Sequence, residues 1–411
     1  MLSPPSPASS ELERQDARQR PLLLALGSAT FMVSLDARVI APLLPTIAKD
    51  FQISVAQAGW LVSGYMLPYG LFQLVYGPLA DRFGKVRVSA WAMLAFSAGT
   101  AVCGVFGAFH SILLFRALTG AAAAALIPLT IAYIGDTVPY RRRQSALAML
   151  MASAGAAQAF STSAGGTIAA LLSWRTVFPL LGATAAASTA ALFVLRGREL
   201  RVVAAPGESP PRYIDALRAP RMLRLLLLVA LEGVLFMGGF PYLSGLLELR
   251  FRMTALGIGL VLGSAGVAQL VGARLLPLAL RRLGERGLLW VGGGQMSAAY
   301  LLCAVARGWG TVVLACCLAG IGFSLAHSTL QTRATELFPR GRATALSLFA
   351  LSLLCGGGLG SLLFGYASEE LGYTSTFVAS GLLFVAFTAT SVRALGYGEF
   401  AKHGMPQTSI E

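Results

Sequence analysis

The chain is 411 residues long, 56% hydrophobic and only 12% charged, with a formal net charge of +14. Soluble globular domains are roughly a quarter charged, so a soluble reading fails, and the apolar excess excludes a disordered chain. A basic excess suits either nucleic acid or a membrane topology, and the placement of the basic residues decides between them.

Residues 1–20 are polar, with Pro4, Pro5 and Pro7 among Ser, Glu and Arg, and read as a disordered tail. They are not a signal peptide, because the apolar run that follows is too long for a signal core and no small-residue cleavage site closes it. Twelve apolar runs follow, each close to the roughly 20 residues that a membrane helix needs. The first six cover 22–44, 57–79, 88–108, 111–134, 144–171 and 176–195. The segment 196–222 carries Pro206, Pro210 and Pro211, and from Arg212 to Arg224 a basic stretch suited to the inner membrane surface. The second six cover 223–246, 254–279, 287–306, 310–331, 343–366 and 374–394, before a polar tail at 396–411. Continuous rather than alternating runs exclude a membrane barrel. The expectation is an all-α integral membrane protein of twelve transmembrane helices in two six-helix bundles, 21–195 and 223–395, joined by the loop 196–222.

The basic residues orient it. With the N-terminus inside, 24 of the 32 Lys and Arg fall on cytoplasmic segments. Five fall outside (Lys49, Arg175, Arg250, Arg252, Arg307), and Arg38, Arg116 and Arg274 lie within spans. The positive-inside rule then makes both termini cytoplasmic, and the net charge reflects topology and anionic lipid rather than nucleic acid. The five cysteines all fall in apolar runs and read as small hydrophobes. His110, His327 and His403 lack metal or catalytic spacing, so no cofactor is expected. No Walker sequence is present, which excludes ATP as the direct energy source.

The halves resemble one another. Asp136-Thr-Val-Pro139 lies 200 positions before Glu336-Leu-Phe-Pro339, and Phe178 lies 199 before Phe377. Weak symmetry at half the chain length is the mark of a carrier built from two repeated bundles, with its site near the midplane between them.

The loop after the second run reads Gly77-Pro-Leu-Ala-Asp81-Arg82-Phe-Gly84-Lys85-Val-Arg87. It resembles the cytoplasmic loop signature of the major facilitator superfamily. Arg116-Ala-Leu-Thr-Gly120, with Pro128 and Asp136, is similar to that superfamily's span-four motif. Leu35-Asp36, then Pro45, is similar to span one of twelve-span drug–proton antiporters. One departure stands out: the antiporters' Gly-Pro in span five is replaced by Ser161-Thr162, while the following Gly165-Gly166 is kept. The resemblance implies the major facilitator fold and secondary transport of hydrophobic drugs or sugars out of a bacterial-type cell. It also implies that span-one acids and the span-four arginine act in proton coupling. In the loop, Asp81 is placed to be drawn to the N-terminus of span eleven, and Lys85 or Arg87 to pair with Asp136, latching the two bundles in the outward-open state.

Ionisable groups at mid-bilayer are costly and are functional candidates by default. Depth counted along the spans sets Asp36 and Arg116 at similar levels with opposite charge, an expected coupling pair. Glu232, about nine residues into span seven, reads either as a protonation or cation-recognition site or as an acid held neutral by a neighbour. Gln73, His327 and Gln331 add polar groups to a cavity between the halves. Tyr65, Tyr69, Phe72 and Tyr76 share one helical face, which lines that cavity or packs on a neighbouring helix.

The expected function is therefore secondary transport of small molecules across a bacterial inner or plasma membrane, with proton-coupled efflux by a monomer leading. The alternatives are proton-coupled uptake or facilitated diffusion of a nutrient such as a sugar, and, further off, a membrane-embedded receptor or enzyme. The expected partners are a small-molecule substrate and the lipid bilayer.

Overall fold

The computed structural model describes residues 7–199 and 213–394. Residues 1–6, the Pro206–Arg212 part of the central loop and the 396–411 tail lie outside the described residues. Every element among those described is helical. The first half holds α1 (Pro7–Val39), α2 (Leu44–Phe51), α3 (Val55–Ala58), α4 (Trp60–Phe83), α5 (Lys85–Cys103), α6 (Phe109–Ala123), α7 (Leu126–Thr137), α8 (Tyr140–Leu171) and α9 (Trp174–Leu195). The second holds α10 (Tyr213–Arg218), α11 (Pro220–Glu232), α12 (Leu243–Phe251), α13 (Ala255–Val305), α14 (Trp309–Leu337), α15 (Arg342–Glu370) and α16 (Gly372–Ala394).

Several expectations are adjusted. Helix α1 begins at Pro7, so residues 7–20 of the segment read as a disordered tail are helical. The central loop contains the short helix α10 and a 3-10 turn at Arg196–Arg198. Among the described residues, nine helical stretches are long and apolar enough to cross a membrane. One of these, Ala255–Val305, is two helices merged across Gly284, whose φ of 64° is not helical. Helices α4 and α8 are long, at 24 and 32 residues, but fall outside that set. Both pack against the opposite half, α4 on α15 and α8 on α13.

Buried apolar side chains form two clusters, one drawn from residues 22–192 and the other from 216–392 with Ala41. Each half therefore has its own core, held together by close packing between its helices and by interhelical hydrogen bonds rather than by exclusion of water.

The halves repeat a broken helix. In the first, α1 stops at Val39, a 3-10 turn covers Ala41–Leu43, and α2 follows. Pro42 and Pro45 interrupt the helical ladder there because proline has no N–H to donate. In the second, α11 stops at Glu232, a π-helical turn covers Gly233–Gly238, a 3-10 turn with Pro241 covers Phe240–Tyr242, and α12 follows. Gln52 and Arg252, both left-handed, close the two equivalents.

Contacts between the halves gather at the end where these helices break. Lys49 of α2 pairs with Glu248 of α12. Ser63 donates to the Gly358 carbonyl at 2.8 Å, and Ser163 to the Gly259 carbonyl at 3.3 Å. Gly166 meets α13 so closely that a Cβ would fall 2.3 Å from the Ala255 carbonyl oxygen, which reserves the position for glycine. At the opposite end, the ion pairs Lys85–Asp136, Arg333–Glu285 and Arg333–Glu336 each stay within one half.

Candidate functional site

Asp36 and Arg38 occupy the last turn of α1, just before the proline break, and their side chains diverge. Asp36 turns into the first bundle and Arg38 towards the second. Arg116 of α6 donates from Nη1 to Asp36 Oδ2 at 2.7 Å, with both side chains essentially out of solvent. The guanidinium lies over the Tyr65 ring, 4.2 Å from its centroid, a cation–π contact that offsets part of its desolvation. Tyr69 meets Tyr65 edge-on at 5.7 Å. Asp36 Oδ1, Arg116 Nε and Nη2, and the Tyr65 hydroxyl are buried without a hydrogen-bond partner among the described residues. The pair therefore keeps polar capacity in reserve. Ser161 of α8 donates to the Leu35 carbonyl, next to Asp36. The Ser-Thr that departs from the antiporter pattern thus ties α8 to α1 beside the acid.

The second half holds its own acid. Glu232, fully buried at the end of α11, has Oε2 3.0 Å from His327 Nδ1 of α14. The π-helical turn starts at the next residue, and such turns recur where a helix is bent to serve a site. The His327 ring stacks on Phe323 at 4.5 Å, and Phe323 on Phe236 at 4.3 Å.

Arg38 ends that aromatic stack. Its guanidinium lies 5.9 Å from the ring centroids of both Phe236 and Phe240. It donates to Gln269 Oε1 at 3.4 Å and points Nη2 at Met237 Sδ, 4.0 Å away. Both partners belong to the second half, and no acid pairs with it among the described residues.

The remaining expected residues divide. Gln73 is buried in α4. Gln331 is exposed, one turn beyond His327 and apart from the Glu232 pair. Phe72 is 43% exposed while Tyr65 and Tyr69 are buried, so the four-ring face does not act as one surface. In the loop motif, Lys85 rather than Arg87 pairs with Asp136; both belong to the first half, so the pair does not bridge the bundles as the expected latch would. Asp81, Arg82 and Arg87 are exposed, and Asp81 has no ion-pair partner among the described residues. Gly77 lies beside the Tyr213 hydroxyl of α10.

Gly84 sits at φ 98°, where a side chain is strained, and a Cβ there would meet the Glu199 carboxylate at 2.8 Å. That carboxylate accepts from the Val86 N–H at 3.0 Å, an anion at the N-terminus of α5 where the helix dipole favours it. Nothing in the sequence marks Glu199, which lies 113 residues from Val86. At the turn around Gly284, burial raises the Glu285 carboxyl above its ordinary value, with Arg333 opposing and Glu336 adding to the shift. A cavity of about 290 Å³ lies by Pro45, Lys49, Glu248, Arg252 and Ile258, and none of the buried charges lines it.

Two helical bundles with separate cores, breaking at equivalent points and each burying charged side chains, define a multi-pass membrane carrier. The chain belongs to the Major Facilitator Superfamily, whose profile matches residues 26–352. It is similar to YceJ, an uncharacterised transporter of this superfamily from Bacillus subtilis, at 27% identity over 87% of this chain and 92% of that protein. It is also similar to the multidrug export protein EmrB of Haemophilus influenzae, at 31% identity over 38% of this chain. Only 31% of EmrB's length is spanned by that match. Among solved structures, a bacterial homologue of the human lysosomal transporter Spinster, inward-facing and occupied, superposes with a TM-score of 0.76. That likeness covers 94% of this chain and 98% of the other at 19% identity, and shows the fold. The chain is thus a transporter and not an enzyme.

Proposed function

We propose that the protein is a twelve-span, proton-coupled exporter of small organic solutes in a bacterial plasma membrane, working as a monomer with both termini cytoplasmic. The count of twelve comes from dividing α13 at Gly284 and adding α4 and α8 to the apolar set. The orientation rests on the excess of Lys and Arg at the Asp81 end. In that orientation, the bonds between halves lie at the outer end, which corresponds to an inward-facing arrangement.

The observation that carries the reading is the buried Asp36–Arg116 pair. A proton on Asp36 removes one of its two charges and leaves Arg116 to its aromatic neighbours, so the energy of the α1–α6 contact changes with protonation. Because Ser161 holds α8 to α1 beside Asp36, that change bears on the α8–α13 interface between the halves. Protonation can then bias the access equilibrium, and the proton gradient supplies the energy. The export direction is supported by the names of the multidrug relatives over their matched third.

The test begins with an efflux-deficient bacterial host expressing the chain, screened for growth against a panel of toxic compounds. The compound whose toxicity falls is then loaded into proteoliposomes. Accumulation driven by an imposed pH gradient, and abolished by a protonophore, is the expected result. Movement indifferent to the gradient would contradict it.

A further inference from the structure

The buried charged side chains do not all find partners of opposite sign. Asp36 is matched by Arg116, and Glu232 is held by His327, each inside its own half. Arg38 is left over: it is 8% exposed and has no acidic partner among the described residues. A guanidinium carries five donors; besides the Phe236 and Phe240 rings, its two hydrogen-bonding neighbours here engage it weakly. The Gln269 amide oxygen is at the long end of hydrogen-bonding range, and a thioether sulfur accepts poorly. Burying a cation with so little compensation is costly.

Its position is central. Arg38 and Met237 are 199 residues apart, as are Lys49 and Glu248. This is also the repeat offset that relates Pro42 to Pro241. Residues at equivalent positions can touch only near the axis relating the two halves, so the lone cation lies close to that axis. Leu35, Ala37, Met237 and Gln269 around it are partly accessible, whereas Phe236 and Phe240 behind it are closed off. The repeat does not duplicate the charge, because the equivalent residue is a methionine.

We propose that Arg38 binds the carboxylate of the transported solute, and that the substrates are organic anions with an apolar body. This rests on the transport reading above and names the substrate class of the same central site. A carboxylate matches the planar fork of a guanidinium in two parallel bonds, and so replaces the weak contacts to Gln269 and Met237. The apolar body lies against Leu35 and the Met237 thioether. Because Arg38 holds Gln269 of α13 in this structure, a bound carboxylate also competes with one bond between the halves.

The experiment measures binding to the purified full chain at constant pH and ionic strength. The probes are 1-naphthoate and indole-3-acetate, with 1-naphthylmethylamine and tryptamine as their cationic counterparts. At least one carboxylate is expected to bind about tenfold tighter than its amine, and Arg38→Gln to lose about tenfold of that affinity, the worth of a hydrogen bond to a charged group. Arg38→Lys should restore part of it, and Gln269→Ala should tighten binding by freeing the fork. Arg274→Gln, an exposed cation on α13, should change nothing. If Arg38→Gln does not fold, the Lys and Gln269 variants still decide the matter. Equal binding of the amines, no carboxylate binding to the parent, or carboxylate affinity unmoved by these substitutions would overturn the site. Arg38-dependent binding without any pH-driven transport would leave the site standing and remove proton coupling instead. Gradient-driven transport of the amines, with Arg38 silent, would do the reverse.

Discussion

Lys49 and Glu248 form an ion pair between equivalent positions of the two halves, at the end where the bundles meet. Lys49 is 71% exposed and Glu248 21%, so the pair contributes at most about 1 kcal/mol. Such a contact suits a latch that must open in every cycle. Lys49→Glu places like charges together and should shift the closed–open equilibrium roughly fivefold, the equivalent of about 1 kcal/mol. Spin labels at Ile53 and Leu249 would report it as a longer-distance population. An unchanged distance distribution would deny the latch.

The Gly84 turn should be intolerant of a side chain. Gly84→Ala meets both a positive φ and the Glu199 carboxylate, a strain of about 1–3 kcal/mol. Its apparent Tm should fall well below that of Glu199→Gln, which keeps an acceptor for the Val86 N–H. Equal melting of the two variants would show that the turn is not strained.

Asp81 should govern rate rather than affinity. It is exposed in this structure and distant in sequence from the α15 N-terminus that it is expected to meet in the other access state. Asp81→Asn should slow transport while changing ligand affinity by no more than about threefold, as expected for a group that acts in the conformational step. A large loss of equilibrium binding in a folded variant would contradict this.

Glu232 should matter for transport although its hydrogen-bond partner, His327, lies in its own half. It is fully buried with one oxygen unpartnered among the described residues, and the π-helical turn begins beside it. Glu232→Gln keeps a bond to His327 and removes the titratable proton, so the transport rate should fall and its dependence on pH should flatten. A parental rate and an unaltered pH profile would exclude a role for the carboxyl.

The sequence exposes most of the architecture because membrane helices announce themselves by length and hydropathy. It exposes Asp36 and Arg116 because equal depth and opposite charge leave few other partners. Lys85 and Asp136 were legible for a similar reason, as complementary charges at neighbouring helix ends. Arg38 was not: a step of two positions turns it about 200° away from Asp36, but only the packing of α1 shows that one side chain enters its own bundle and the other crosses to α13. Glu199 was hidden by distance along the chain. The accessibility of Phe72 was hidden too, because helical spacing says which rings share a face but not where the neighbouring helix stops.

The central claim is that the Asp36–Arg116 pair couples a proton to alternating access. Removing one charge from a buried pair typically costs about 3–5 kcal/mol, so Arg116→Ala is a poor probe. Asp36→Asn removes a charge as well, but it keeps the side-chain volume and an amide oxygen that can still accept from Arg116. The decisive measurement compares two transport modes of this variant in proteoliposomes: accumulation driven by a pH gradient, and exchange of labelled for unlabelled solute at equal pH. Coupling through Asp36 predicts that accumulation is lost while exchange persists. Gradient-driven accumulation at the parental level would contradict it.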